Sequence, residues 1–181
     1  HASCALPLPA PDGAALARQI HLRPGVGIAA HVLQGRGLQV LRVRVEQPAL
    51  ILVDQGLKSV RGGRHAAVKA RPGQAIVLEG NQTVDFSNSV PEGRQYEARW
   101  LLFDPVLLDD AFYAARAAQR EQGMRPPAAA RLVTQVSAGL AQAFARATRT
   151  LAAGEPVPDA VARQRLLEVM HWLLEEGVAL H

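Results

Sequence analysis

The fold is decided by residues 48–81, which read PALILVDQGLKSVRGGRHAAVKARPGQAIVLEGN. Short apolar runs, several of them β-branched, alternate here with turn residues, in particular the pair Gly62 and Gly63 and the dipeptide of Pro72 and Gly73. Glycine accepts the positive φ of tight hairpin turns, and proline favours turns over central strands. Short strands at such even spacing predict an all-β unit, either a barrel or a sandwich.

The two-residue period continues on both sides of this stretch, over residues 27–103. In LQVLRVRVE, the alternation places Leu41, Val43 and Val45 on one face and Arg42 and Arg44 on the other, which is typical of a half-buried strand. The run ALILV is apolar throughout and predicts a central strand. A closed barrel is favoured because it leaves no exposed strand edges.

After Asp104 the pattern becomes helical. Asp104 as a cap and Pro105 at the first helical position predict a helix that ends before GMRPP. A long second helix is predicted from an apolar stripe of Leu132, Val136, Leu140, Phe144 and Leu151. A last helix is predicted from Leu166, Leu167, Met170, Leu173 and Leu174. Only the short segment GEPVPD separates these two helices, which predicts an antiparallel hairpin.

The N-terminal segment is predicted to be an arm. Its prolines exclude a continuous helix or a central strand, although AALARQI, residues 14–20, is expected to form a short helical turn. The expected organisation is therefore an arm at 1–24, a barrel at 25–104 and a helical region at 105–181.

Composition indicates one ordinary globular domain. The 181 residues are 49% hydrophobic and 20% charged, and the one cysteine, Cys4, has no partner for an internal disulfide. No apolar run approaches the roughly 20 residues of a membrane span, and the start lacks signal-peptide features, so we expect a cytoplasmic protein. The net charge of +4 comes from scattered arginines, with Lys58 and Lys69 as the only lysines, so no basic helix face for DNA is expected.

The residues that carry chemistry are sparse. A metal site needs several converging ligands, yet none of the six histidines lies within four residues of another, so no metal or other cofactor is expected. Cys4 lies in the arm, and no serine stands in a Gly-x-Ser-x-Gly turn, so no catalytic residue is predicted. The sequence predicts a protein that is not an enzyme.

A ligand cavity remains, since a small β-barrel can enclose one small molecule. In YEARWLLF, Tyr96 and Trp100 share one strand face, and Trp100 would be a stacking wall if that face points inward, or otherwise a core aromatic. The candidate effector-binding residues are Trp100, Tyr96, His31 and Arg42. The arm around residues 6–20 is the candidate lid.

Residues 26–177 also resemble the N-terminal regulatory domain of AraC-type transcriptional regulators. The resemblance rests on the turn of Gln55 and Gly56, the Lys-x-Val strand from Lys58, the two glycine turns and the motif DPVLL at 104–108. It implies a mainly β fold, a cupin-type double-stranded β-helix followed by a helical hairpin. It also implies an effector-sensing and dimerisation domain that binds an unknown small molecule.

Two departures from related patterns shape this expectation. Metal-dependent cupins carry a His-x-His pair and a later histidine, and both are missing here, although a small metal-dependent cupin enzyme, an isomerase or dioxygenase, stays open as an alternative. The chain ends at His181, before any helix-turn-helix unit could begin. We therefore expect a fragment that contacts DNA only through a missing C-terminal domain.

A homodimer is expected through the last helix. Its apolar arc is wider than one neighbouring helix can cover, and an exposed apolar patch is typical of an interface. The alternatives are that the barrel covers the excess, or that the chain is a dimerisation domain with no ligand. The predicted interface residues are Leu166, Met170, Leu173 and Leu174.

Overall fold

The computed structural model describes residues 16–122, 128–152 and 156–181. These residues form ten strands and three α-helices. Nine strands come before the first helix and the tenth lies between the first two α-helices, which confirms a mainly β fold with C-terminal helices. The strands are β1 Leu16–Arg23, β2 Gly27–Gln34, β3 Leu38–Val45, β4 Ala49–Gln55, β5 Leu57–Gly62, β6 Val68–Ala70, β7 Ala75–Leu78, β8 Gln82–Ser89, β9 Tyr96–Phe103 and β10 Ala130–Val133. The helices are α1 Ala111–Glu121, α2 Ala138–Ala152 and α3 Asp159–Glu175, and a short 3₁₀ helix spans Pro105–Asp109.

The strands form two antiparallel sheets of a cupin-type double-stranded β-helix. Sheet A has the order β1-β2-β9-β4-β7-β10, and sheet B has the order β3-β8-β5-β6. The inner faces of both sheets supply one buried cluster, the barrel interior, which includes Ile28, Ile51, Val60, Phe86 and Trp100. The predicted turn glycines Gly63 and Gly73 have φ of 58° and 87°, as tight turns require.

The central strands of sheet A are buried on both faces. Its outer face carries Leu50, Leu101 and Phe103, which belong to a second cluster together with Phe144 on α2 and Leu166 on α3. A strand covered on two sides has no polar face, and this explains why ALILV and the end of β9 are apolar without alternation. The helices therefore lie directly behind the strands that line the barrel interior.

The two final helices form the predicted antiparallel hairpin. Gly139 near the start of α2 lies against the Trp172 ring near the end of α3, where an added Cβ would lie 2.5 Å from a ring carbon. Further along α2, Arg146 pairs with Glu168 of α3 at 3.3 Å. No helix among the described residues is long and apolar enough to cross a membrane.

The prediction of a helical turn over residues 14–20 is wrong for residues 16–20. Residues 16–20 belong to β1, which pairs antiparallel with β2 along its whole length, so the backbone donors and acceptors of β2 outcompete the local helix. β1 is an edge strand, and its Ile20 and Leu22 are exposed. Residues 14 and 15, and most of the predicted lid, lie outside the described residues.

Two predictions about the later helices also need correction. Leu132 is on strand β10, which pairs with β7, and α2 begins only at Ala138. The helix predicted from Asp104 is in fact two pieces. Asp104 caps the 3₁₀ helix by accepting a hydrogen bond from the Val106 N–H, and Asp110 caps α1 by accepting one from the Tyr113 N–H.

A β-bulge changes the predicted faces of β3. The register against β8 shifts between Val40 and Val43, and Arg42 has a φ of 55°. The extra residue turns the strand over, so Val43 and Val45 face the barrel interior while Leu41 is exposed. The prediction that Leu41 shares the buried face is therefore wrong.

Candidate functional site

A group of polar side chains lies buried at one end of the barrel interior. Lys58 on β5 is only 1% exposed, and its Nζ donates a hydrogen bond to Asn88 Oδ1 at 2.9 Å. Asn88 Nδ2 in turn donates to Gln34 Oε1 at 2.8 Å. We call Gln34, Lys58 and Asn88 the interior polar cluster, and its three members come from three different strands.

Strand register explains why these side chains meet. Lys58 is directly opposite Asn88 in the pairing of β5 with β8, and Gln34 is opposite Tyr96 in the pairing of β2 with β9. Side chains alternate along a strand, so Lys58 points to the same side as the interior residue Val60. All four residues are thus at the ends of their strands, at the same end of the barrel.

Aromatic rings surround the Lys58 amine. Its Nζ lies 4.3 Å from the ring centroid of Phe86, 5.0 Å from that of Trp100 and 5.8 Å from that of Tyr96. Phe86 and Trp100 meet edge to face at 5.8 Å. The negative faces of aromatic rings attract a cation, which partly compensates for the water that the buried amine has lost.

Burial changes the protonation chemistry of this end of the barrel. Burial lowers the pKa of Lys58 to about 7, because removal from water disfavours the charged amine. Burial also raises the pKa of Tyr96, with a smaller contribution from the negative charge of Asp54. Lys58 therefore exchanges its proton near neutral pH, whereas Tyr96 stays protonated and remains a hydrogen-bond donor.

The Tyr96 hydroxyl is a donor without a partner in the described part of the chain. Its oxygen is buried and makes no hydrogen bond there. In the same residues, no Asp or Glu forms an ion pair with Lys58. Both groups normally carry a free-energy cost when buried in this way. The Tyr96 hydroxyl and the Lys58 amine therefore leave hydrogen-bond donors in the barrel interior that no described residue uses.

The structure brings two of the four predicted effector-binding residues together and separates the other two. Trp100 and Tyr96 are both buried in the barrel interior. His31 is on the outer side of sheet A, where its Nε2 lies 2.6 Å from Glu97 Oε2. Arg42 is exposed at the β3 bulge, where its backbone N–H donates to Asp85 Oδ1. The prediction that His31 and Arg42 share one site with Trp100 is therefore wrong. Ligand binding by Trp100 and Tyr96 stays a prediction.

Sequence reasoning missed the interior polar cluster. Lys58 served only as part of a turn-and-strand motif, although a signal was present. It is one of two lysines in an arginine-rich chain, and it alternates with the apolar Val60 on the same strand. Gln34 and Asn88 gave no signal, because nothing in the sequence indicates that β2 and β8 end at the same place.

The predicted dimer residues are in the core of their own chain. Leu166, Met170, Leu173 and Leu174 are each 0% exposed and belong to the cluster between the helices and sheet A. The apolar arc of α3 is therefore covered by the chain's own sheet, which was the alternative to an interface. The argument that these side chains form an exposed patch is wrong, and the homodimer itself stays a prediction.

The described residues contain no evident metal-binding site. No group of three or more His, Cys, Asp or Glu side chains is close enough there to hold a metal ion. The absence of a metal stays a prediction from the sequence, as does the absence of catalysis.

The fold is that of the matched part of AraC-like transcriptional regulators. ToxT from Vibrio cholerae matches 92% of this chain and 58% of its own chain, with a TM-score of 0.59 and 5% identity. The AraC-like transcriptional activator CuxR matches 93% of this chain and 60% of its own, with a TM-score of 0.57 and 12% identity. A cupin superfamily protein from Desulfitobacterium hafniense matches 53% of this chain, with a TM-score of 0.43 and 8% identity.

The chain spans about three fifths of the length of ToxT and CuxR. No protein-family model matches the sequence, and no curated protein matches it either.

Proposed function

We propose that this chain is the effector-sensing domain of an AraC-type transcriptional regulator of the bacterial cytoplasm, and that it does not act as an enzyme. The observation that carries the proposal is the interior polar cluster among aromatic rings, inside a fold shared with two such regulators. A second ToxT structure is described as bound to (E)-4-(8-methylnaphthalen-1-yl)but-3-enoic acid, which supports a small-molecule effector for this chain too. DNA contacts would come from a further domain of the regulator.

The same sheet offers a route from the effector to the helices. Trp100 faces the barrel interior, while the preceding residue, Arg99, faces the helices on the other side of β9. Arg99 forms a two-point ion pair with Asp54, at 2.9 and 3.0 Å, and its guanidinium lies 5.5 Å from the Phe144 ring centroid. A ligand that moves Trp100 would therefore also move a contact with α2. Such a ligand would shift the population between two helix arrangements if it binds one of them better.

The homodimer belongs to this proposal with a changed interface. Leu166, Met170, Leu173 and Leu174 are buried, so a second subunit would have to use the exposed side of α3. That side carries the apolar residues Val161 and Trp172. A pairing of two helical hairpins through it would place the attached DNA-binding domains around a two-fold axis.

Tryptophan fluorescence tests the proposed site, because the chain has only Trp100 and Trp172. We expect an effector from a chemically diverse metabolite library to shift or quench the emission of the Trp172→Phe variant, in which Trp100 is the one fluorophore. The matched control is Trp100→Phe, which replaces the proposed stacking ring, and we expect the emission of its remaining Trp172 on α3 to change less than that of Trp100 does in Trp172→Phe. A library in which every compound leaves the emission of Trp172→Phe unaltered, or alters only that of Trp100→Phe, would contradict an effector site at Trp100.

A further inference from the structure

A small cavity lies on the outer face of sheet B, the sheet opposite to the one that carries the helices. Its volume is about 180 Å³. Sites for drug-sized ligands measure roughly 300–1,000 Å³, so this cavity suits a smaller molecule. The polar side chains that line it come from three neighbouring strands and are those of Gln39, Ser59, Arg61, Asp85 and Ser87.

Strand register explains why these five side chains converge. Arg61 is directly opposite Asp85 in the pairing of β5 with β8, and Ser59 is opposite Ser87 two residues away. Gln39 extends the second row, because it is opposite Ser87 in the pairing of β3 with β8. The Cβ atoms of opposed residues lie about 4.5–5.5 Å apart. A charged row and a neutral hydrogen-bonding row thus lie side by side on one face.

The two charges of this cavity do not neutralise each other. Opposite charges at directly opposed positions of an antiparallel pair normally attract. Among the residues that the structure describes, however, no ion pair includes Arg61 or Asp85. Asp85 Oδ1 instead accepts a hydrogen bond from the backbone N–H of Arg42 at 2.8 Å. The cavity therefore presents a cation and an anion that each lack a counter-ion there.

The bulge of β3 is a second, independent observation at the same place. Arg42 has a φ of 55°, which residues other than glycine rarely adopt. Backbone strain of this kind persists only where the surroundings fix it, and it clusters at binding and active sites. The bulge also holds the Asp85 carboxylate and turns Leu41 outward, where Leu41 forms an apolar wall of the cavity. Bulges commonly re-aim side chains next to such sites.

We propose that this cavity binds a small zwitterion of the α-amino-acid type. The ligand carboxylate pairs with Arg61 and the ligand ammonium pairs with Asp85, while the ligand side chain lies against Leu41. The neutral row of two hydroxyls and one amide supplies further hydrogen bonds to the two charged groups of the ligand. The site is separate from the barrel interior, so the inference does not depend on an effector there.

The charge balance favours a zwitterion over other small polar molecules. A neutral sugar leaves both Arg61 and Asp85 without a counter-ion. A simple anion neutralises only the arginine, and a simple cation neutralises only the aspartate. A molecule that carries both charges on neighbouring atoms satisfies both side chains at once, and hydrogen bonds between charged groups are the stronger kind.

The test compares each amino acid with two derivatives that each lack one of its charges. Glycine, L-alanine, L-serine and L-valine are titrated into the whole chain by calorimetry, next to their primary amides, which keep only the cation, and their N-acetyl forms, which keep only the anion. We expect at least one amino acid to bind about tenfold or more tightly than either derivative, because each derivative loses one charge-assisted hydrogen bond.

Two variants assign the two halves of the site. Asp85→Asn keeps a side-chain oxygen for the Arg42 N–H and so preserves the bulge, and we expect it to weaken the amino acid but not its N-acetyl form. Arg61→Gln changes an exposed side chain, and we expect it to weaken the amino acid but not its amide. Arg36→Gln removes the same charge at an exposed position outside the cavity and should change neither.

Three outcomes would overturn the zwitterion site. These are amino acids that all fail to bind at millimolar concentration, derivatives that bind as well as their parent amino acids, and amino acids that keep their affinity in both Asp85→Asn and Arg61→Gln. The proposed function is decided separately. An amino acid whose affinity is lost in Trp100→Phe and kept in Arg61→Gln would belong to the barrel interior, which keeps the sensor domain and rejects the outer site.

Discussion

Replacing Leu173 with glutamate is expected to unfold the chain rather than to separate two subunits. Leu173 is 0% exposed, between α3 and the outer face of sheet A, so the variant buries a carboxylate that has no partner. Substitutions of this kind cost on the order of 3–5 kcal/mol, a large part of the stability of a typical domain. Circular dichroism during urea unfolding would measure the loss.

Gln164→Glu is the matched control for this experiment, because it adds the same charge to the same helix at an exposed position outside the proposed dimer side. We expect a change of at most about 0.5 kcal/mol in its free energy of unfolding. Sedimentation of both variants and of the wild type measures whether each one is a monomer or a dimer. A folded Leu173→Glu monomer, next to a dimeric wild-type chain, would show that Leu173 faces a second subunit.

Lys58 is expected to make the stability of the wild-type chain rise with pH from about 7 toward 10. The folded-state pKa is about 7 and the ordinary value is 10.5, so between these limits the unfolded chain binds a proton that the folded chain lacks. Stability rises with pH wherever the unfolded state binds more protons. The slope is at most about 1.4 kcal/mol per pH unit for one proton. Below pH 7 the cost of the buried charge is fully present.

Lys58→Met should lose this pH-dependent component. It also leaves Asn88 Oδ1 without its donor, at a cost of about 1–3 kcal/mol that does not depend on pH. Urea unfolding at pH 6, 7, 8 and 9 would separate the two effects, with Lys69→Met as the control that keeps the wild-type slope. Parallel curves for wild type and Lys58→Met would show that the folded-state pKa of the amine is not lowered.

Local patterns predicted much of the fold. Turn glycines such as Gly63 and Gly73, and the apolar run of β4, were enough to predict short antiparallel strands. Asp104 and Pro105 correctly marked the start of a helical segment, although β10 adds a later strand to sheet A. Errors occurred where long-range pairing decides the outcome. Residues 16–20 form a strand because they pair with β2. Leu132 lies in a strand because β10 pairs with β7.

The site was harder to predict than the fold. The alternation of YEARWLLF placed Tyr96 and Trp100 on one face, and the structure shows that this face points inward. Alternation alone failed for Arg42, because a bulge cannot be predicted from the pattern of β3. It also could not show that α3 packs on sheet A, since the wide apolar arc fits a dimer interface and a sheet equally well.

The nuclear magnetic resonance signals of the two tryptophan indole N–H groups test the central claim most directly. The chain has two tryptophans, Trp100 inside the barrel and Trp172 on the exposed side of α3, so a ¹⁵N spectrum contains two such signals, assigned with Trp172→Phe. An effector in the barrel interior should move the Trp100 signal together with the backbone signals of Lys58 and Asn88. Movement of the Trp172 signal while those of Trp100, Lys58 and Asn88 stay in place would contradict it.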